Sequence, residues 1–173
     1  AKIQVGSTDG STAGTLECRS PGSGTNTIKL NSSTGDALVG IEAETKGFVD
    51  IQGASPSDQD CIITNGGVML DGTRDGYISL KDGSETLIKN AEISYMGTNL
   101  SDKRGIYPSA VNGNVANEGV VIEGSSIHNN FIGIEPSVGS SYLVFRNNKI
   151  YSNVAGILTV TGGANNILIA SNE

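Results

Sequence analysis

Short apolar runs alternate with polar turn residues along the chain, and one arrangement of them recurs at a fixed distance. The segment Val121–Ile134 aligns with Val144–Ile157, which begins 23 positions later. Ile127 then meets Ile150, and the Asn and the Gly-Ile pair that follow each of them also coincide. A third copy begins at Ile167, after another 23 positions. A repeat of this length predicts a solenoid in which each unit packs on the next.

The same template reaches toward the N terminus with decreasing regularity. Leu87–Ser94 and Val68–Ile78 fit it well. Looser matches occur at 27–30, 39–41 and 48–51. We predict a single domain over residues 1–173, most regular over 62–173, with about seven to eight coils of about 23 residues each. The chain opens without Met and stops part-way through a repeat, as expected of a trimmed product or a fragment of a longer β-helix protein.

Each repeat holds three short apolar segments separated by Gly, Asn or Ser, and such a unit cannot bury its apolar residues alone. Units stacked about 4.8 Å apart form a continuous core and pair their backbones with the neighbouring coils. The recurring Asn130 and Asn153 predict a side-chain ladder at a turn where each Asn adopts a left-handed conformation. We therefore predict an all-β, right-handed parallel β-helix. A sandwich of antiparallel hairpins would not place like residues at a fixed spacing.

Composition and charge narrow the possible partners. Gly, Ser, Asn and Thr make up 73 of 173 residues, but 18 Ile and 12 Val against 10 Leu favour strands over disorder or helices. With 11 Lys and Arg against 18 Asp and Glu, the net charge is −7, and no basic cluster exists for nucleic acid. No apolar run approaches the roughly 18 residues of a membrane span. We expect no nucleic-acid partner and no membrane insertion.

The repeats resemble those of a known superfamily. The run Ile127–Ile134 and its copy Phe145–Ile157 resemble the right-handed parallel β-helix repeat of the pectate-lyase-like superfamily, over residues 62–173. The resemblance implies the fold, but this superfamily includes lyases, hydrolases, epimerases, tailspikes, adhesins and structural solenoids. No catalytic signature of its pectate lyases, polygalacturonases or alginate epimerases is present. Segments 93–95 and 127–130 also resemble the disaggregatase-associated repeats of methanogen surface proteins.

One coil is longer than its neighbours, with extra residues in 98–104 and 110–118. Loops that emerge from a solenoid commonly form the walls of a binding groove. Two outward columns are predicted beside it: Asp71, Ser94, His128 and Tyr151 in the first, and Ile78, Tyr107, Glu135 and Leu158 in the second. Aromatic rings stack on the C–H faces of sugars, and charged groups bind hydroxyls or uronates. We therefore predict a polysaccharide-binding groove with Tyr107, Asp102, Arg104, Glu135 and His128 on one face, although a solvated loop tip is the simpler interpretation.

The candidate catalytic residues are Glu135, Tyr107 and Asp102, and the candidate substrate-binding residues are Arg104, Lys103, His128, Tyr95 and Asp71. Paired carboxylates about 5 to 10 Å apart can hydrolyse a glycoside. Asp71 with Asp75, or Glu135 with Asp102, would form such a pair. A lyase would instead use a Lys, Arg or Tyr base. Whether the module is an enzyme stays open at this point.

Location, assembly and cofactors follow from weaker signals. The acidic, polar surface favours an extracellular or cell-surface protein. The alternative function is a structural surface, sheath or fibre subunit that stacks through uncapped solenoid ends. One His and two Cys cannot form the usual four-ligand zinc site, so we expect no metal or cofactor. Calcium remains conceivable at Asp58 and Asp60 or at Asp71 and Asp75.

The two cysteines give a specific structural prediction. Cys18 and Cys61 are 43 positions apart, which is close to two coils of 23 residues. Residues two coils apart in one column are about 9.6 Å apart, whereas a disulfide needs Cα atoms within roughly 7 Å. A secreted protein would favour the bond. Because the coil spacing places the two residues too far apart for a bond within the chain, we predict two separate thiols or an intermolecular bridge.

Overall fold

The protein consists of short parallel strands wound into coils. A computed structural model describes residues 2–30, 38–66, 76–100, 103–112, 119–159 and 164–173. Within these residues the chain forms seventeen β-strands and no α-helix. In chain order they are β1 (Lys2–Val5), β2 (Gly14–Arg19), β3 (Asn26–Lys29), β4 (Val39–Ala43), β5 (Gly47–Gln52), β6 (Cys61–Thr64), β7 (Gly76–Leu80), β8 (Glu85–Lys89), β9 (Glu92–Ser94), β10 (Ile106–Pro108), β11 (Val120–Glu123), β12 (Ser126–His128), β13 (Ile132–Ile134), β14 (Ser141–Arg146), β15 (Lys149–Tyr151), β16 (Ala155–Ile157) and β17 (Asn165–Ala170).

Each strand pairs in parallel with the strand three places further along the chain, so three sheets run side by side. Sheet 1 contains β1, β4, β7, β10, β13 and β16; sheet 2 contains β2, β5, β8, β11, β14 and β17; sheet 3 contains β3, β6, β9, β12 and β15. The chain therefore passes through the three sheets in turn, once per coil. This topology confirms the predicted all-β parallel β-helix. The described residues make nearly six coils, so the expectation of seven to eight was wrong.

The core consists of inward-facing columns that run along the solenoid. In sheet 3, Ile127 pairs with Ile150, as the repeat predicted, and with Ile93 on its other side. Most side chains in these columns are β-branched and alternate with outward-facing residues, as expected for strands with one face in the core. The corresponding columns are Ile41, Ile78, Ile106, Ile134 and Ile157 in sheet 1, and Ile51, Ile88, Ile122, Phe145 and Ile169 in sheet 2.

The 23-residue spacing is a property of the C-terminal coils. Val121 pairs with Val144 at this spacing, but Val144 then pairs with Leu168, 24 positions on, rather than with Ile167. The predicted register of the last coil was therefore wrong by one residue. Because Ile167–Ile169 is apolar throughout, its hydrophobic pattern does not decide which side chain faces the core.

Asparagine side chains form ladders at two corners of the C-terminal coils. The Met96 backbone N–H donates to Asn130 Oδ1, and the Asn130 backbone N–H donates to Asn153 Oδ1, each at 2.8 Å. The ladder is as predicted, but the left-handed conformation belongs to the preceding residues, Asn129 and Ser152. The Asn side chain thereby points along the solenoid and satisfies backbone groups of the neighbouring coil. A second ladder comprises Ser125, Asn148 and Asn172.

Cys18 in β2 and Cys61 in β6 form a disulfide, with their Cα atoms 6.0 Å apart. The prediction of two separate thiols was wrong because it assumed coils of 23 residues. At this end of the solenoid Leu16 pairs with Val49, 33 positions later, so 43 residues span one coil and one corner. The bond joins sheet 2 of the first coil to sheet 3 of the second, and both half-cystines are buried.

Candidate functional site

The predicted site residues lie on two different outer faces. Tyr107 in β10 and Glu135, which follows β13, belong to sheet 1, whereas His128 in β12 belongs to sheet 3. The prediction that one face carries all three was therefore wrong. The chain turns a corner between His128 and Glu135, so residues close in sequence face different directions. The candidates Asp102 and Asp71, with Asp75, lie outside the described residues.

The outward column around Tyr107 runs along sheet 1. Tyr107 pairs with Ser79 of the preceding coil, and Ile78 faces the core instead of occupying this column as predicted. On the other side the Glu135 backbone N–H donates to Ile106 O at 2.9 Å, which places Glu135 beside Tyr107. Strand alternation explains the correction, because in β7 the side chains on either side of Ile78 point outward. Ser79 is 1% exposed, and Glu135 is 4% exposed.

Arg104 connects the long loop to this column. Its Nη1 donates to Glu135 Oε1 at 2.9 Å. Two further polar atoms of this pair, Arg104 Nε and Glu135 Oε2, are buried and have no hydrogen-bond partner among the described residues, and the same holds for Ser79 Oγ. Burial raises the pKa of Glu135 above its usual 4.5, and the charge and hydrogen bond of Arg104 offset this only in part. We call Ser79, Arg104, Tyr107 and Glu135 the Tyr107 face.

Lys103 extends from the same loop in the opposite direction along the solenoid. Its Nζ lies 4.2 Å from the centroid of the Tyr77 ring and 3.9 Å from Glu42 Oε1. Glu42 also accepts hydrogen bonds from Tyr77 Oη at 2.7 Å and from Lys2 Nζ at 2.6 Å. Burial acts to raise the pKa of Glu42, but these hydrogen bonds and the charges of Lys2 and Lys103 outweigh it and lower the pKa below 4.5. Lys103 is therefore already engaged by a carboxylate and a ring.

The backbone of the long loop fixes these two cations. The Thr98 N–H donates to Lys103 O at 2.8 Å, which closes a turn before β10. Gly105 follows Arg104 with φ at 135°, and a Cβ there would lie 1.8 Å from Ile132 O. Only glycine fits this position, because of both its conformation and the close approach of the next coil. Arg104 is thus held where its side chain reaches Glu135.

The second group of candidates surrounds His128 on sheet 3. Its ring stacks on Tyr151 with centroids 4.8 Å apart and an interplanar angle of 13°, and it meets Tyr95 edge-on at 6.2 Å. His128 Nε2 lies 3.4 Å from Glu92 Oε1, and this hydrogen bond is the main reason that the pKa of Glu92 is lowered. The stack of His128 on Tyr151 strengthens the contact between neighbouring coils, and Tyr151, in the last strand of sheet 3, is 49% exposed.

One neighbour in the His128 column differs from the prediction. His128 pairs with Ser94, and Ser94 pairs with Thr64 rather than with Asp71. The repeat alignment predicted that Val68–Leu70 forms the strand of sheet 3 in this coil. In the structure Cys61–Thr64 forms that strand. The irregular lengths of the N-terminal coils caused the error.

Sequence reasoning missed Glu42, Tyr77 and Lys2 as neighbours of the long loop. The signal that would have found them is alternation: Glu42 pairs with Ser79 in β7, and Tyr77 pairs with Gly40 in β4. A Cβ at Gly40 would lie 2.3 Å from the Tyr77 ring, so the glycine makes room for this ring. These contacts depend on the register between β4 and β7, which the loose N-terminal matches do not reveal.

Among the described residues, no group of three or more His, Cys, Asp or Glu side chains is arranged to hold a metal ion. Asp60 accepts hydrogen bonds from the Ser20 hydroxyl and the Ala54 N–H, so it stabilises a turn. Calcium binding at Asp58 and Asp60 stays a prediction. In the part of the chain that the structure describes, no helix is long and apolar enough to cross a membrane.

Comparison with known proteins identifies the class of this fold. The family model of the right handed beta helix region matches residues 19–173, so the chain belongs to the right-handed β-helix family. The match also gives the solenoid its predicted right-handed sense. No curated protein and no solved structure matches the chain significantly.

Proposed function

We propose that this β-helix binds polysaccharide on the Tyr107 face. The observation that carries the proposal is Glu135 Oε2, a buried carboxylate oxygen that has no hydrogen-bond partner in the part of the chain that the structure describes and lies beside an arginine and a half-buried tyrosine. Buried polar atoms in folded proteins nearly always have a partner. An unpartnered one at an outer face is a position where a polar group of a ligand fits.

The chemistry of this face suits sugars. The Tyr107 ring can stack on the C–H face of a sugar ring, while Arg104 and Glu135 can bind its hydroxyls. Because the strands of sheet 1 follow one another about every 4.8 Å, the face continues along the solenoid axis. A linear polymer can follow such a surface over several coils, which favours a polysaccharide over a single sugar.

An extracellular or cell-surface location is part of the proposal. The Cys18–Cys61 disulfide supports it, since disulfides form and persist in oxidising compartments. The high content of Gly, Ser, Asn and Thr is compatible with the same setting.

Catalysis on the bound polymer is the finer form of the proposal. A carboxyl group with a raised pKa, such as Glu135, can donate a proton to a leaving oxygen. Hydrolysis needs a second carboxylate, and its predicted partner, Asp102, lies outside the described residues. Turnover of a polysaccharide that is lost in both Glu135→Gln and Tyr107→Phe would establish an enzyme. The structural-subunit alternative stays a prediction, for which electron microscopy of the purified protein is the test.

Affinity electrophoresis or calorimetry with a panel of neutral and acidic polysaccharides tests the binding site. We expect Tyr107→Ala to weaken binding at least tenfold, because central aromatic anchors of binding surfaces carry about 2 kcal/mol or more. Tyr151→Ala is the matched control, since Tyr151 is an exposed tyrosine on sheet 3. Binding that is lost in the control but kept in Tyr107→Ala would place the site on sheet 3. Failure of every polysaccharide to bind would refute the proposed function.

A further inference from the structure

The ion pair on the Tyr107 face is incomplete in a specific way. Arg104 and Glu135 share one hydrogen bond, from Nη1 to Oε1 at 2.9 Å. An arginine and a carboxylate commonly form two parallel hydrogen bonds, which use both carboxylate oxygens. Here a donor, Arg104 Nε, and an acceptor, Glu135 Oε2, both lack a hydrogen-bond partner among the described residues. Each belongs to the same planar group as an atom of the existing hydrogen bond, so the unpartnered donor and acceptor lie on one ion pair.

A ligand that satisfies both atoms must accept one hydrogen bond and donate another. Two hydroxyls of a sugar do this, whereas an ionised carboxylate only accepts. A uronate carboxylate would satisfy Arg104 Nε but would place a negative charge beside the Glu135 carboxylate. The two like charges would repel each other. We infer that the Tyr107 face recognises neutral hydroxyl pairs of a polysaccharide rather than uronate groups; the inference rests on the proposed function.

The surrounding charges support this choice. Lys103, the other cation of the loop, is engaged by Glu42 and the Tyr77 ring. Lys2 is engaged by Glu42 as well. Each of these cations thus already has a carboxylate partner in a protein of net charge −7. A uronate polymer would have to displace these carboxylates, while a neutral polymer leaves the pairs intact.

Binding requires a small rearrangement. Arg104 Nε and Glu135 Oε2 are buried, although the Arg104 side chain as a whole is 28% exposed. The two hydroxyls reach these atoms when a neighbouring side chain changes rotamer, and such changes are common at binding surfaces. Binding then provides a hydrogen-bond partner for each of the two buried atoms, Arg104 Nε and Glu135 Oε2.

The direct test compares uronate polymers with the same polymers after reduction of their carboxyl groups to alcohols, alongside neutral glucans, galactans, mannans and xylans. We expect at least one neutral or carboxyl-reduced polymer to bind at least about tenfold more tightly than its uronate form. This binding should change little between low and high salt, whereas uronate binding through Arg104 would weaken with salt.

Two variants locate the effect. Arg104→Lys keeps the charge but removes Nε, and Glu135→Gln replaces the acceptor pair by one acceptor and one donor group. We expect each to weaken binding of the neutral polymer by about tenfold while the melting temperature shows that the protein is folded. Arg146→Lys is the matched control, because Arg146 forms a similar ion pair with Glu123, at 3.0 Å, on sheet 2.

The outcomes separate this inference from the proposed function. Salt-sensitive binding of uronate polymers alone, lost in Tyr107→Ala, would overturn the inference and leave the proposed function standing. Neutral binding that Arg104→Lys and Glu135→Gln leave unchanged would also overturn the inference, since the two atoms would then hold ordered water only. Absence of binding to any polymer would overturn both.

Discussion

The two ends of the solenoid share one core but are held together by different interactions. In the C-terminal coils Ile127 and Ile150 are 23 positions apart, and asparagine ladders satisfy the backbone at the corners. In the N-terminal coils the pairing positions are 33 to 38 residues apart. There a disulfide and the Glu42 ion pairs connect successive coils. Inward-facing columns, composed mostly of Ile, nevertheless run through both ends.

This difference shows which features a β-helix must keep. The columns require an apolar side chain at the equivalent inward position of each coil. They do not limit the number of residues between one such position and the next. A short coil needs a compact corner whose backbone groups are satisfied locally, and a buried Asn supplies this. A longer coil has turns held by other side chains, such as Asp60, and covalent or ionic links tie it to its neighbours. Substitutions at the two ends of the solenoid should therefore differ in their effects on stability.

Loss of the disulfide is expected to have the largest effect. Replacing both Cys18 and Cys61 by Ala should lower the free energy of unfolding by about 2–5 kcal/mol, because the bond restricts the unfolded chain and both half-cystines fill the core. Denaturant unfolding followed by circular dichroism measures this. A decrease below about 1 kcal/mol would contradict the idea that the N-terminal coils depend on this link.

Asn148→Ala should have the next largest effect, in the C-terminal coils. Asn148 accepts a hydrogen bond from the Ser125 N–H at 3.0 Å and donates to Ile122 O at 2.9 Å. Its removal leaves the buried Ser125 N–H without this partner, so we expect a loss of about 1–3 kcal/mol in the free energy of unfolding. Asn165→Ala, at an exposed position of β17, is the control and should change it by less than about 0.5 kcal/mol. Equal effects of the two substitutions would refute the structural role of the ladder.

The same comparison explains how much of the fold could be predicted. The C-terminal coils have no inserted residues between Val121 and Ile157, so the repeat spacing revealed the Ile127–Ile150 pair and the Asn130–Asn153 ladder. The N-terminal coils contain loops of unequal length, and a hydrophobic pattern carries no information on how far a loop carries the chain around the solenoid. The disulfide and the number of coils were mispredicted for this reason.

The site shows the same limit. Tyr107 and Glu135 were predicted to share an outward column because the segments Gly105–Ser109 and Gly133–Ser137 match as Gly-Ile-x-Pro-Ser, whereas Arg104 was identified as part of the long loop. Glu42 and Tyr77 were missed, since their positions depend on two long coils that fit the repeat poorly. The unpartnered atoms of Arg104 and Glu135 are a matter of side-chain geometry, which a sequence pattern does not specify.

Two carboxylates on sheet 1 should give opposite pH dependences. The folded pKa of Glu42 lies below 4.5, so its contribution to stability is present above that pH and is lost as pH falls through the folded value. The folded pKa of Glu135 lies above 4.5, so its contribution is present at low pH and is lost as pH rises through the folded value. Glu42→Gln should therefore destabilise the protein more at pH 7 than at pH 3, and Glu135→Gln more at pH 3 than at pH 7, each by on the order of 1 kcal/mol or less. Thermal unfolding across this range measures both, and parallel pH profiles for the two variants would contradict the assignment.

The smallest expected effect concerns an ion pair of the C-terminal coils. Arg146 Nη2 donates to Glu123 Oε2 at 3.0 Å, but the Arg146 side chain is 43% exposed. Exposed ion pairs contribute about 0–1 kcal/mol, because water screens the charges and both side chains lose conformational freedom. If the asparagine ladders and the core hold these coils, Arg146→Ala should lower the free energy of unfolding by about 0.5 kcal/mol, well below the effect of Asn148→Ala. Denaturant unfolding of the two variants and of the double variant gives the comparison. A loss in Arg146→Ala equal to that in Asn148→Ala would mean that ionic links hold the C-terminal coils as well, and the division between the two ends would not stand.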